Sequence, residues 1–254
     1  NSLTLERRFS DLAAHQLRTP QASVKLLLQM LRNADDEAER QQADDLLGLI
    51  TPVIKGYLTD KGFQAAVHAQ QVLGGHGYIR EHGIEQFVRD ARITQIYEGT
   101  NGIQAMDLVG RKLPKDGGRS VRAFFELVGR EIAEARQNGD PAGVAAALEP
   151  ALQDLQAATM WLAQNGMADP DNAGAGAYPY MDLMGLVSLG WMWLKMAAAS
   201  QRALADGTSD QAFHDAKVTT ARFYAQRELP MSTALRRKIE AGAETLMKIP
   251  AEAF

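Results

Sequence analysis

Two successive helical units forming an all-α fold are predicted by three observations. Apolar residues recur at helical spacing along most of the chain, as in Val121, Phe124, Phe125, Val128 and Ile132. No strand-rich region, internal repeat or low-complexity tract interrupts that pattern. A linker, Pro114-Lys115-Asp116-Gly117-Gly118, separates a first unit from a second by the turn chemistry of its proline and glycines.

The elements follow in order. Residues 5–33 carry an apolar stripe at Leu12, Val24, Leu27, Leu28 and Leu31, with Pro20 breaking or kinking the helix. The acidic run 34–44 predicts a helix start, since Asp35 or Asp36 can cap orphan N–H groups and acids suit the first turn. The helix continues through Leu46, Leu47, Leu49 and Ile50, is indented at Pro52, and resumes through Val53, Ile54, Tyr57 and Leu58. A further helix from Thr59 carries Phe63, Ala66, Val67 and Gln70 toward a glycine turn, and Ile84, Phe87, Val88, Ala91 and Ile96 predict a short amphipathic helix beyond it. After the linker, Asp140-Pro141 starts a helix through Leu148, Leu152, Leu155, Met160 and Trp161. An Asn/Gly/Ala loop is expected over 165–177, and Tyr178-Pro179 then leads into a Met- and Trp-rich helix ending near Asp206-Gly207. A helix from about 209 to 228 and another after Pro230 complete the second bundle. Trp161, Trp191 and Trp193 are read as core packing rather than a ligand pocket.

Composition excludes several functions. The 254 residues carry 27 basic and 31 acidic side chains, net charge −4, so no electrostatic footprint for nucleic acid is present. The stretch from Leu183 to Ala199 is interrupted by Ser188 and Lys195 and falls short of the ~20 residues of a spanning helix, so no membrane span is expected. The absence of cysteine rules out disulfides, thiol catalysis and Cys-ligated zinc. No signal sequence is visible, and the expected compartment is cytoplasmic.

Chemistry is concentrated in residues 71–104, where glycines at 74, 75, 77, 83, 99 and 102 require sharp turns or close approach. Gly75-x-Gly77 is followed by Arg80 where a dinucleotide fingerprint needs its third glycine, and no Walker loop follows. The turn can still bring exposed N–H groups to a phosphate or a flavin edge. His76 and His82 are six apart, which does not align two metal ligands on one helical face, and no metal site is predicted. Glu98 is the candidate base. Ile96 and Tyr97 before it are apolar enough to desolvate a carboxylate, and Gly99 leaves room for a substrate.

Three linked blocks here resemble the C-terminal signature of the acyl-CoA dehydrogenase family. They are Gln71-Val72-Leu73-Gly74-Gly75-His76-Gly77-Tyr78, then Arg89-Asp90-Ala91-Arg92-Ile93, then Ile96-Tyr97-Glu98-Gly99-Thr100. The variant Thr100-Asn101-Gly102-Ile103-Gln104 and the helices after it are similar to the longer, bacterial-type members with an extra C-terminal helical domain. The resemblance implies a bundle of the family's C-terminal type over 1–113, within which 1–33 carries little of the likeness, and a second bundle over 119–254. It implies α,β-dehydrogenation of an acyl-CoA, with Glu98 removing the α-proton, Tyr97 and Gly99 beside the substrate, and a hydride passing to FAD (flavin adenine dinucleotide). It further implies that the Glu98 N–H polarises the thioester carbonyl. Gln71, Gly74, Gly75, Thr100 and Gly102 are implied cofactor contacts; Gly102 stands where a flavin-contacting glutamine is usual, so its role is limited to backbone, and Asn101 has no assigned role. Implied partners are an acyl-CoA substrate, an electron-transfer flavoprotein or similar acceptor, and further copies of the chain in a homo-oligomer. Because the chain starts at Asn1 and lacks the family's N-terminal helical and middle β domains, it is expected to be a C-terminal piece that does not turn over acyl-CoA alone.

A second local resemblance leaves an alternative open. Arg8-Phe9 followed by Ala14-His15-Gln16-Leu17-Arg18-Thr19-Pro20 is similar to the phosphoacceptor box of sensor histidine kinases, with His15 as the phosphorylated residue. Gln16 stands where that family usually has an acid, and no ATP-binding domain follows. Within the dehydrogenase resemblance, His15-Gln16 matches a His-Gln pair near the adenine side of the flavin. The alternatives are thus a histidine phosphotransfer or kinase-dimerisation module, or a non-catalytic helical interaction unit.

Overall fold

A computed structural model describes residues 37–140 and 142–253. The readings made for His15, Gln16 and the first apolar stripe lie outside those residues. Among the described residues every regular element is helical. The chain divides into two compact units, 1–107 and 108–254.

In the first unit, α1 (Glu37–Val72) is one helix of 36 residues with Pro52 inside it. The sequence predicts an indentation there and a new helix from Thr59; the structure runs straight through both. Pro52 removes one backbone hydrogen bond and costs about 3 kcal/mol in a helix interior. Ala43, Leu46, Leu49, Ile50, Val53 and Tyr57, none more than 6% exposed, line one stripe across the proline. Burial of side chains of this size contributes about 1.5–3 kcal/mol each, which outweighs the lost bond. Three short helices follow, α2 (Gly75–Tyr78), α3 (Ile84–Ile93) and α4 (Asn101–Asp107), and both α3 and α4 pack on α1.

The second unit opens with a π-helical turn, Leu108–Lys112, and a tight turn at Lys115–Gly118. Then come α5 (Arg119–Gln137), α6 (Val144–Ala168), α7 (Pro170–Ala205), α8 (Gln211–Arg227), α9 (Met231–Glu240) and α10 (Glu244–Met247). The predicted stripe of α5 is buried at Val121, Phe124, Val128 and Ile132. The start predicted at Asp140 falls instead at Val144, and Asp140 caps from a distance: its carboxylate accepts from the N–H groups of Ala145 and Ala146 at 3.0 and 2.9 Å. The loop predicted over 165–177 is helical on both sides of Asp169. That residue caps α7 by accepting from the Asp171 N–H, and Pro170 takes the first helical position, where a missing N–H costs nothing.

Helix α7 is the axis of this unit. By length and hydropathy it could cross a membrane, but Tyr180, Met181, Leu183, Met184 and Val187 have no exposed surface, and α6, α8 and α9 pack against the helix. Pro179, expected before the helix, is inside it and buried. The Tyr180 hydroxyl pairs with Thr159 at 2.7 Å. Trp191 is core, edge-on to Phe124, and donates to Glu131 at 2.7 Å; Trp161 and Trp193 are half-buried. Buried Asp154 on α6 accepts from Ser232 and Thr233 of α9, which registers those helices against each other.

Candidate functional site

The site is assembled on α1 by the segment that follows it. Leu73 and Gly74 close the end of α1 with bonds to the carbonyls of Gln70 and Gln71, and Gly74 takes φ 56°. The chain then doubles back so tightly that a Cβ on Gly77 would lie 2.3 Å from the Gln70 carbonyl oxygen. Only glycine permits that approach. The Gln70 side chain donates to the Gly77 carbonyl at 3.2 Å, locking the turn. Beyond it the rings of His76 and His82 stack edge to face at 5.4 Å.

Helix α3 delivers the chain to the turn that holds Glu98. The N–H groups of Ile96 and Tyr97 both donate to the Ile93 carbonyl, and Glu98 and Gly99 then adopt left-handed conformations at φ 55° and 82°. A left-handed non-glycine residue costs roughly 1–2 kcal/mol and persists only where its surroundings fix it. The fixing groups are explicit. Asn101, 3% exposed, donates from Nδ2 to the Gly56 carbonyl (3.0 Å), to Thr59 Oγ1 (2.9 Å) and to Asp60 Oδ1 (2.7 Å). Its Oδ1 accepts from Lys55 Nζ at 2.7 Å, and its backbone N–H donates to the Gln95 carbonyl. Gln95 also donates from its side chain to Asp60. Both ends of the Glu98 turn are therefore tied to one stretch of α1, residues 55–60. Burial pulls the Lys55 ammonium below the usual lysine value, opposed by the charges of Asp60 and Glu98.

Tyr97, Glu98, Gly99 and Thr100 stand together on this turn and are exposed; Gly102 lies in the first turn of α4, also exposed. The apolar cover expected around Glu98 is not supplied by its neighbours, because Ile96 and Tyr97 are each 47% exposed and point too much of their surface outward to desolvate it. Gln71, Gly74 and Gly75 form a second cluster. Gln71 is eleven residues beyond Asp60 on α1 and its near neighbours, about 16 Å at 1.5 Å per residue. The structure thus brings the predicted residues together in two places on one helix.

Residues 121–250 match the family described as acetyl-CoA dehydrogenase C-terminal like, and residues 9–113 match the acyl-CoA dehydrogenase C-terminal domain. The chain belongs to the acyl-CoA dehydrogenase family. The match over 9–113 takes in His15 and Gln16. The chain is 36% identical over 221 residues to the 3-methylmercaptopropionyl-CoA dehydrogenase of Ruegeria pomeroyi, covering 87% of this chain and 37% of that protein. It is 31% identical over 214 residues to the broad-specificity linear acyl-CoA dehydrogenase FadE5 of Mycobacterium tuberculosis, covering 81% of this chain and 35% of that one. The chain therefore spans little more than a third of the length of the curated relatives it matches. Its fold is similar to Caenorhabditis elegans ACDH-11, solved in complex with C11-CoA, with TM-score 0.62 and 20% identity over 89% of this chain and 35% of that one.

Acyl-CoA dehydrogenases use FAD, and the groups present suit it. A Cβ on Gly74, Gly75 or Gly102 would meet nothing within 4 Å, so backbone is open to close approach at both clusters. The exposed Gln71 amide and Thr100 hydroxyl add polar contacts suited to phosphates and ring edges.

Sequence reasoning left Asn101 unassigned and passed over Lys55, Asp60 and Gln95. Lys55 and Asp60 stand five residues apart on α1, and no local motif marks them. Their partner Asn101, 41 to 46 residues downstream, is reached only through the fold.

Proposed function

We propose that this chain is the C-terminal part of a flavin-dependent acyl-CoA dehydrogenase in which Glu98 removes the α-proton of an acyl-CoA thioester. The observation that carries the reading is the turn itself: an exposed carboxylate on a left-handed residue, held by bonds from Gln95 and Asn101 to a single stretch of α1. A strained, anchored backbone under a free carboxylate is the geometry of a group that must meet a substrate in one orientation. The family membership and the acyl-CoA dehydrogenase relatives support the same assignment.

The chain's own residues divide the work. The Glu98 carboxylate accepts the proton from the carbon beside the thioester carbonyl. Its N–H, which has no acceptor among the described residues, donates to that carbonyl oxygen and stabilises the negative charge that develops there. Gly99 keeps the approach open, and Tyr97 and Ile96 offer apolar surface to the acyl chain, whose arrival supplies the desolvation that the turn lacks alone. Gln71, Gly74 and Gly75 contact the adenosine-diphosphate part of a cofactor held mainly by a neighbouring subunit, and Thr100 and Gly102 contact the cofactor beside Glu98. When bound, the flavin supplies the acceptor for the hydride that leaves the β-carbon. An electron-transfer flavoprotein or similar acceptor and a homo-oligomer belong to the same proposal.

The test is anaerobic bleaching of the flavin spectrum by acyl-CoA in the flavin-loaded enzyme containing this chain. Glu98→Gln should slow bleaching by about 100- to 10,000-fold, the usual contribution of a general base. Bleaching at the parent rate would remove Glu98 from the chemistry.

A further inference from the structure

We propose that Lys55 is a positioning residue for Glu98, fixing its turn through the bond to Asn101 and, held there three residues from Glu98, acting on the carboxylate through its charge. The inference rests on the assignment of Glu98 as the base.

Lys55 lies on α1 within the face that receives the turn. Its Nζ donates to Asn101 Oδ1 at 2.7 Å, and Asn101 is buried with its amide spread over Gly56, Thr59 and Asp60. Lys55 is therefore the donor to the accepting end of the buried side chain that closes the turn. The same ammonium interacts electrostatically with Glu98, yet its hydrogen bond goes to Asn101.

That division matters for a base. A lysine in direct contact would cover a carboxylate oxygen and compete with the substrate proton for it. One bonded to an amide instead acts on the carboxylate only through its charge and covers neither oxygen. The cation is in turn kept from swinging away by the bond to Asn101, a charge-assisted bond of the stronger kind. Asp60 balances the arrangement from the other side. It accepts from both Gln95 and Asn101, so the two ends of the turn share one carboxylate while the Glu98 carboxylate, between them, accepts no hydrogen bond among the described residues.

The coupling is tested first in this chain without cofactor. Lysine 13Cε NMR, with the Lys55 signal assigned by its loss in Lys55→Arg, follows the ammonium titration. In Glu98→Gln the Lys55 signal should titrate at lower pH than in the parent, because one of the two charges that oppose its desolvation has gone. An unchanged titration overturns the electrostatic half of the proposal. Amide hydrogen exchange over 95–101 should be about 10-fold faster in Lys55→Met, from the loss of a hydrogen bond to a charged group. Parent-like exchange overturns the mechanical half.

The second stage uses the flavin-loaded enzyme. Lys55→Met should slow flavin reduction at saturating acyl-CoA by about 10- to 100-fold with KM little changed, as expected of a group that orients the base. Lys55→Arg, which keeps charge and donor, should recover most of the rate; Lys55→Gln, which keeps only a donor, should not. Slow Glu98→Gln with parent-like Lys55→Met defeats the positioning role and spares the function. Parent-like Glu98→Gln defeats the function, while the exchange and titration results still report whether the clamp exists.

Discussion

Asn101 Nδ2 lies 2.7 Å from Asp60 Oδ1, joining the first residue of α4 to the middle of α1 across 41 positions of sequence. Neither residue carries a charge or group that the proposed reaction consumes. Together they decide where Glu98 stands, because among the described residues each side-chain hydrogen bond from the turn to α1 ends on Asn101 or Asp60.

Asn101→Ala should therefore destabilise the chain and loosen the turn at once. The truncation removes four side-chain bonds, among them the one that partly buried Lys55 donates and one of those that Asp60 accepts. An unsatisfied buried polar group costs about 1–3 kcal/mol, so a loss of about 3 kcal/mol is expected. Urea denaturation followed by circular dichroism measures it, and a change under 1 kcal/mol on the same scale would mean that the amide is replaceable by water.

Gly77→Ala is a sharper case, since the added methyl would sit 2.3 Å from the Gln70 carbonyl oxygen and 3.1 Å from Leu73 Cβ. Both obstacles are backbone or close to it and cannot rotate away, so about 1–3 kcal/mol of overpacking is expected. Gly75→Ala, two residues earlier, has open space around its new methyl and ordinary φ, and should be near neutral. Thermal melts of the pair check this directly. Equal melting temperatures would show that the turn reshapes freely around Gly77.

How far the sequence could be read follows from the range of each interaction. Helices of the second unit were legible because Val121, Phe124, Val128 and Ile132 state their face within twelve residues, and the structure buries all four. Prolines misled in both directions. Pro52 suggests a break and Pro179 a helix start, and long apolar stripes override both, while Pro170, which does start a helix, was lost in a stretch whose alanines and glycines resemble a loop. At the candidate site the glycine turn and Glu98 were visible as local motifs. The Lys55–Asn101–Asp60 clamp was not, because a buried Asn is indistinguishable in sequence from the many that cap or expose themselves, until the fold supplies its partners.

Tyr180 gives the fold a defined alkaline limit. It is fully buried on α7, and desolvation raises its hydroxyl far above the ordinary value of 10.0, against a smaller lowering by the bond to Thr159. The neutral form is the one that the folded state prefers. Below the unfolded tyrosine value both states hold the proton and the contribution of Tyr180 to stability is fully present. As pH rises beyond 10.0 the unfolded chain releases the proton while the folded chain keeps it, so the unfolded state binds fewer protons and stability falls with pH. One proton of difference amounts to about 1.4 kcal/mol for each pH unit. In Tyr180→Phe the loss of the Thr159 partner should cost about 1 kcal/mol at neutral pH. The variant's urea midpoint should then decline less steeply than the parent's above pH 10, so that the two curves converge. Parallel declines would place the alkaline sensitivity on other groups.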